Sequence, residues 1–315
     1  MTGTPAIDIA GAEGRLRGHI LETPLLEWPQ AGIWLKCENE QLTGSFKIRG
    51  ALNKVLGLPP EALARGLVAA SAGNHGIGVA LAATVAHTSA TVVVPANVVE
   101  RKRRTLEALG AEVVLAAGDF AVAEREGYAL AVARGAVWVS PYNDAEVIAG
   151  QGTLGWELAR QMRAARLPDG AEVYVPVSGG GLLAGVGLGL RLAGRPVRLF
   201  GVQTESAPYF HRYLHGGDPA SVVEQPTLAD GLAGAVEAGS ITWEMVRSLA
   251  DDVLLVREAE IGQALLRVHR ETGMFIEPSA AVAVAACLVG KGRQRIAILS
   301  GGNADPGLLS RLGGA

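Results

Sequence analysis

The sequence predicts an α/β protein built as two doubly wound lobes, with mostly parallel sheets covered by helices on both faces. Three observations carry this. Short β-branched runs alternate with longer segments of helical apolar spacing along nearly the whole chain. Several of those runs end in small-residue turns that open the next helical segment. The chain also has 315 residues and 49% hydrophobic content, enough apolar material for one large core or two lobes.

The β-branched runs place strands at 33–36, 67–70, 91–94, 112–115, 137–139, 173–177, 199–202, 253–256 and 296–299. Helical spacing places helices at 75–87, 98–109, 120–134, 146–165, 182–193, 258–272 and 279–290, with Gly110 and Gly194 as stops. Nine strands are many for one open sheet, and four of them fall in a compact rhythm between 67 and 139. A smaller lobe at 65–143 is therefore expected, inserted into a larger one made of 1–64 and 144–315. No repeat or low-complexity tract interrupts this pattern, and no segment is left over for an appended regulatory domain, so feedback through such a domain is not expected.

Net charge is −3, which argues against a nucleic-acid partner. The basic run Arg101-Lys102-Arg103-Arg104 heads a segment with helical apolar spacing and reads as a solvated helix face. Cys37 and Cys287 have no zinc or disulfide spacing and read as buried packing residues. The amino terminus lacks a basic region followed by an apolar stretch. Residues 173–190 carry no charge, but Pro176 and six glycines make them a strand, a turn and a helix start rather than a membrane span. A cytoplasmic protein without membrane contact is expected.

Four strings carry chemistry. The first is Thr43-Gly44-Ser45-Phe46-Lys47-Ile48-Arg49-Gly50, in which Lys47 opens an amphipathic segment. A lysine that forms a Schiff base must be held and partly desolvated, because burial disfavours its charged form; a lysine in a helix-opening turn is otherwise ordinarily solvated. The second is Ser71-Ala72-Gly73-Asn74-His75-Gly76, at a strand's carboxyl end, where open α/β sheets bind ligands. Backbone N–H groups there would hold an anion such as a carboxylate, or Asn74 or Ser71 merely caps a helix. The third is Ser178-Gly179-Gly180-Gly181-Leu182-Leu183, whose glycines can turn N–H groups toward one phosphate without a cationic side chain. Its spacing is neither that of a dinucleotide fingerprint nor that of a Walker loop, and a plain glycine hinge is the alternative. The fourth is Leu299-Ser300-Gly301-Gly302-Asn303, where Ser300 could offer a neutral hydroxyl to a ring nitrogen.

Together these strings resemble the fold-type II pyridoxal 5′-phosphate enzymes (the tryptophan synthase β-like fold), and within them the threonine/serine dehydratase and serine racemase family. The resemblance runs from Thr23-Pro24-Leu25 and Lys36-Cys37-Glu38-Asn39 through Ala149-Gly150-Gln151-Gly152-Thr153, Leu228-Ala229-Asp230-Gly231 and Glu277-Pro278-Ser279-Ala280 to Ser300. It implies that Lys47 is the Schiff-base lysine and that Phe46 packs on the cofactor ring. By the same resemblance, Asn74 bonds the ring hydroxyl, and Gly179, Gly180, Gly181 and Leu182 bind its phosphate. Ser300 would face the pyridine nitrogen and Gly231 would pass the cofactor's edge. Ser71, Ala72, Gly73, Asn74 and His75 would hold the substrate carboxylate, with Tyr142 lining the substrate side.

The implied reaction is β-elimination from a β-hydroxy L-amino acid, threonine or serine, to a 2-oxo acid and ammonia. Lys47, displaced by the substrate amine, would remove the α-proton, and the β-hydroxyl would leave with a proton supplied through the cofactor phosphate. A neutral Ser300 leaves the ring nitrogen largely unprotonated, which favours rapid loss of the β-group. Racemisation needs a second acid/base, the second serine of a Ser-Ser-Gly-Asn-His loop in serine racemases, and here Ala72 stands there. Tyr142, in Ser140-Pro141-Tyr142-Asn143-Asp144, leaves phenylserine and 3-hydroxyaspartate open as substrates. Where related chains place acidic metal ligands this one has Gln203 and Tyr209, so no metal is expected, although Glu205 could substitute. A non-catalytic amino-acid sensor is the alternative from another class. A homodimer or homotetramer is the assembly that the resemblance implies.

Overall fold

The computed structural model describes residues 6–305 and 307–313. Ten strands lie among the described residues: β1 Leu25–Trp28, β2 Ile33–Cys37, β3 Leu67–Ala70, β4 Ala90–Pro95, β5 Glu112–Ala116, β6 Val137–Trp138, β7 Ala171–Pro176, β8 Val197–Thr204, β9 Asp252–Val256 and β10 Arg295–Leu299. The chain forms two compact units, one of Met1–Ile20 with Phe46–Gln151, the other of Leu21–Ser45 with Gly152–Ala315.

The first unit is built on a parallel sheet in the order β5-β4-β3-β6. β3 is buried throughout, as a parallel strand covered on both faces must be. Alternate residues serve opposite faces. Leu67, Ala69, Val92 and Val94 join the core under the helices Asn74–Val85 and Lys47–Leu56, whereas Val68 and Val93 pack with Ala123 and Ala131 of the helix Phe120–Arg134.

The helix Lys47–Leu56 belongs to this unit because its Ile48, Ala51, Leu52 and Val55 are buried in the same core. It is also locked to the start of the helix Ala145–Ala164 by a glycine crossing. A methyl group on Gly50 would stand 2.7 Å from the Val147 carbonyl oxygen, and one on Gly150 would stand 2.6 Å from the Gly50 Cα. Arg15 of the helix Ile9–Leu16 adds bonds to Asn53 Oδ1 (2.8 Å) and Glu146 Oε2 (3.0 Å). The unit is thus larger than the 65–143 insertion that strand spacing predicts, because spacing along the chain does not register which helices share a core.

The second unit holds the order β1-β2-β10-β7-β8-β9, parallel except for β1 against β2. β1 has no counterpart among the sequence-predicted strands. It is a four-residue edge strand whose Leu26 and Glu27 are exposed and whose Trp28 is buried, a pattern with no period to read. The Ala-rich helix Pro278–Val289 opens on proline, a favoured first position, and is buried nearly all round against this sheet. The uncharged stretch 173–190 is β7, a glycine turn and part of the helix Gly181–Leu192. No helix among the described residues is long and apolar enough to cross a membrane.

Candidate active site

Lys47 is the first residue of its helix and is partly buried. Its Nζ donates to the Pro141 carbonyl oxygen at 2.9 Å and lies 5.2 Å from the centre of the Phe46 ring. The segment it grips is shaped by its own side chains. Ser140 Oγ accepts the Asn143 N–H at 3.0 Å, and Asp144 Oδ1 accepts from Glu146 N (2.8 Å) and Val147 N (3.1 Å) at the start of the next helix. Lys54, two turns beyond Lys47, pairs with Asp144 at 2.7 Å. Tyr142 sits partly buried in this segment.

In the same unit, Ser71, Ala72 and Gly73 follow β3, and Asn74 and His75 begin the helix Asn74–Val85. Ser71 Oγ accepts the Gly73 N–H at 3.2 Å, closing the turn. The first N–H groups of a helix have no partner within it, so this helix start favours negative charge. The His75 side chain serves differently. It is 3% exposed, and its Nε2 meets the Val139 carbonyl oxygen at 2.8 Å. Burial, and then the charge of Lys47, push its pKa down to about 3, so the ring is neutral. What His75 offers an anion is therefore its backbone N–H.

In the second unit, the glycine string follows β7 and starts the helix Gly181–Leu192. Gly180 stands at the helix N-cap with φ +84°, and a methyl group there would meet Phe210 Cζ at 2.7 Å. Only glycine meets both demands. Gly179, Gly180, Gly181 and Leu182 are buried, and the three glycines bring no side chain of their own to the backbone donors of this turn.

Ser300, 3% exposed, follows β10, the parallel neighbour of β7. The hydroxyl and the glycine turn thus occupy the carboxyl ends of adjacent strands, where α/β sheets bind ligands. The loop beyond Ser300 is tied on both sides. Gly301 bridges Ser45, Gly302 N donates to Gly44 O at 2.8 Å, and Asn303 Nδ2 donates to Thr43 O at 2.7 Å. Glu277 N donates to Gly301 O at 3.0 Å, which sets Ser279 beside this loop, and a methyl group on Gly231 would meet Ser279 Oγ at 2.8 Å. Gly231 itself is exposed.

The Gln203 side-chain amide oxygen accepts from His211 N at 3.0 Å. Burial, and then the Glu224 carboxylate, push Tyr209 up to about 12. Neither residue offers a carboxylate oxygen.

The strings single out Lys47, Phe46, Asn74 and Ser71–His75 for the first unit, and the glycine turn, Gly231 and Ser300 for the second. Each group is gathered at strand ends or helix starts in its own unit. Sequence reasoning missed the Val139 and Pro141 carbonyls, because backbone acceptors leave no residue-type signal. The readable trace is the capping string Ser140-Pro141-Tyr142-Asn143-Asp144.

These features suit pyridoxal phosphate: a glycine-only helix start for a phosphate, a buried neutral hydroxyl at the adjacent strand end, and a partly desolvated lysine. The family model described as pyridoxal-phosphate dependent enzyme matches residues 16–301. The chain is 42% identical over 314 residues to the L-threonine ammonia-lyase of Thermotoga maritima, covering 97% of this chain and 77% of that one. It superimposes on the processed form of threonine deaminase isoform 2 from Solanum lycopersicum with TM-score 0.88 and 32% identity, over 99% and 94% of the two chains. Maize serine racemase gives TM-score 0.88 and 29% identity over 98% and 97%. The chain belongs to the pyridoxal-phosphate dependent enzymes and, within them, to the threonine ammonia-lyase family.

Proposed function

We propose that the protein converts L-threonine, L-serine or both to the 2-oxo acid and ammonia by β-elimination. Relatives named for threonine ammonia-lyase and threonine deaminase support this reading. The observation that carries it against racemisation is Ala72 in the loop before the helix Asn74–Val85: its methyl group can move no proton. Racemisation is the second reading, favoured by the likeness to maize serine racemase.

In this reading pyridoxal phosphate, when bound, supplies an electron sink for the negative charge left at the substrate's α-carbon. Lys47 would hold the cofactor, and its free amine would take the α-proton. Phe46 packs on the ring and Asn74 bonds its hydroxyl. Gly179, Gly180, Gly181 and Leu182 give backbone N–H groups to the phosphate. Ser300 would offer the ring nitrogen a neutral hydroxyl, which would leave it largely unprotonated, and Gly231 would lie at the ring's edge. The backbone of Ser71–His75 holds the substrate carboxylate, and Tyr142 meets the substrate's side chain. A phenol there extends the candidate substrates to phenylserine and 3-hydroxyaspartate.

The two buried free thiols suit a reducing compartment, and we assign the protein to the cytoplasm as a homodimer or homotetramer. Light scattering on the purified protein tests the assembly. The activity is tested by supplying L-threonine, L-serine, threo-phenylserine and threo-3-hydroxyaspartate with added cofactor, and measuring 2-oxo acid. Turnover of one or two of them supports the reading. D-amino acid without 2-oxo acid would replace it with racemisation, and neither product would replace it with amino-acid sensing.

A further inference from the structure

We propose that His75 is a positioning residue for Lys47: by holding the Val139 carbonyl, its imidazole fixes the backbone edge on which the Lys47 amine rests. The inference builds on the reading of Lys47 as the cofactor's lysine.

The geometry is a pair of donors on carbonyls two residues apart. His75 Nε2 meets Val139 O at 2.8 Å, and Lys47 Nζ meets Pro141 O at 2.9 Å. A carbonyl can only accept, so Nε2 carries the proton and Nδ1 the lone pair. Nδ1 is buried without a hydrogen-bond partner. A proton at Nδ1 would gain nothing there, so a single neutral tautomer is selected.

The edge needs this support. β6 has only two residues, paired through Leu67–Val137 and Val68–Trp138, and past it the ladder continues only as Val139 N to Val68 O at 2.9 Å. Val139 is fully buried, so without the imidazole its carbonyl would lose a partner where water is excluded. The Ser140 and Asp144 caps shape the turn from 140 to 147 but do not reach back to Val139.

The consequence falls on Lys47. An amine that gives an N–H to Pro141 O has its lone pair turned away from that carbonyl, as a group that must take a proton elsewhere requires. The same carbonyl also stabilises the charged form of the amine. The cationic group acting on His75 is Lys47 itself, so a charged imidazole would set two cations on one edge.

The test uses the full-length protein in four forms: wild type, His75→Leu, His75→Asn and His75→Gln. Borohydride trapping followed by peptide mass spectrometry on the wild type first asks whether the cofactor is joined to Lys47. Trapping elsewhere would overturn the Lys47 reading itself, separately from this inference. Apo-protein is then recombined with pyridoxal phosphate across pH, and the rate is followed by absorbance. In the Leu variant we expect recombination and kcat to fall about ten- to a hundred-fold, with KM little changed. The pH midpoint of recombination should move down by about one unit, because the ammonium loses an acceptor.

Gln, whose amide can donate to Val139 O, should recover both the rates and the midpoint, whereas the shorter Asn should not. If the Leu variant does not fold, the Asn–Gln contrast decides. A lower melting temperature with unchanged rates and midpoint would overturn the proposal in favour of packing alone. A raised KM with unchanged kcat would overturn it in favour of substrate contact.

Discussion

The two units hold their site residues by different means. In the first, the candidate residues stand at helix starts: Lys47 rests on the Pro141 carbonyl, the His75 imidazole on the Val139 carbonyl, and Asn74 begins its helix. In the second, the candidate groups are mostly backbone: a glycine turn with φ +84°, joined by one side-chain hydroxyl at the adjacent strand end. A side chain can be changed with little effect on the fold. A backbone site is part of the fold, so damage there should reach stability and cofactor affinity together.

The largest effect expected is at Lys47. Lys47→Ala should lower 2-oxo acid formation by at least about 10³-fold while circular dichroism stays unchanged. A variant that lost its fold as well would break the distinction between the units. Next is Lys36, a fully buried residue of the second unit that pairs with Glu157 and donates to Thr23 O at 2.6 Å. Lys36→Met should cost ~3–5 kcal/mol in denaturant unfolding, because Glu157 is left buried without that partner. The double variant with Glu157→Leu should recover most of this.

Gly180→Ala should cost ~1–3 kcal/mol for its backbone conformation alone. It should also weaken pyridoxal phosphate binding, measured by fluorescence titration. Weakened binding at full stability would show the turn to be separable from the fold.

Per pH unit, the effect of pH through His75 falls in the same range. Its folded pKa, about 3, lies below the usual 6.5. As pH falls through that window the unfolded chain takes up a proton that the folded one refuses, so stability declines, by up to ~1.4 kcal/mol per pH unit for this group. The loss is complete once pH passes below the folded value. His75→Gln should flatten the acid limb of the unfolding free energy, and an unchanged limb would assign the acid sensitivity elsewhere. The smallest effect expected is from Ala72→Ser, which should add slow D-amino acid formation, read by chiral chromatography, with 2-oxo acid release nearly intact.

Much of the fold, and the strings that make up the candidate site, were legible in the chain. The parallel strands are continuous β-branched runs, the strings at their ends contain Asn74, Gly179–Gly181 and Ser300, and Lys47 opens a helix beyond the loop that follows β2. Such runs are readable because both faces of a parallel strand are buried. β1 and the helices Tyr209–Leu214 and Thr242–Leu249 were not, since elements of four, six and eight residues repeat a pattern only about twice, too few times to stand out from their surroundings. Yet Phe210, Thr242 and Val246 on those helices crowd Gly180 and make glycine obligatory there.

The sequence by itself determined the fold class, the family and the residue types at the strand ends, because each depends on local pattern and chemical identity. Only the tertiary structure decided that the helix Lys47–Leu56 shares a core with β3 and β4, that the His75 imidazole is spent on Val139, and that Lys47 rests on Pro141. Core membership and the choice of a backbone acceptor arise from contacts between segments far apart in the chain, and a carbonyl is the same group at every residue.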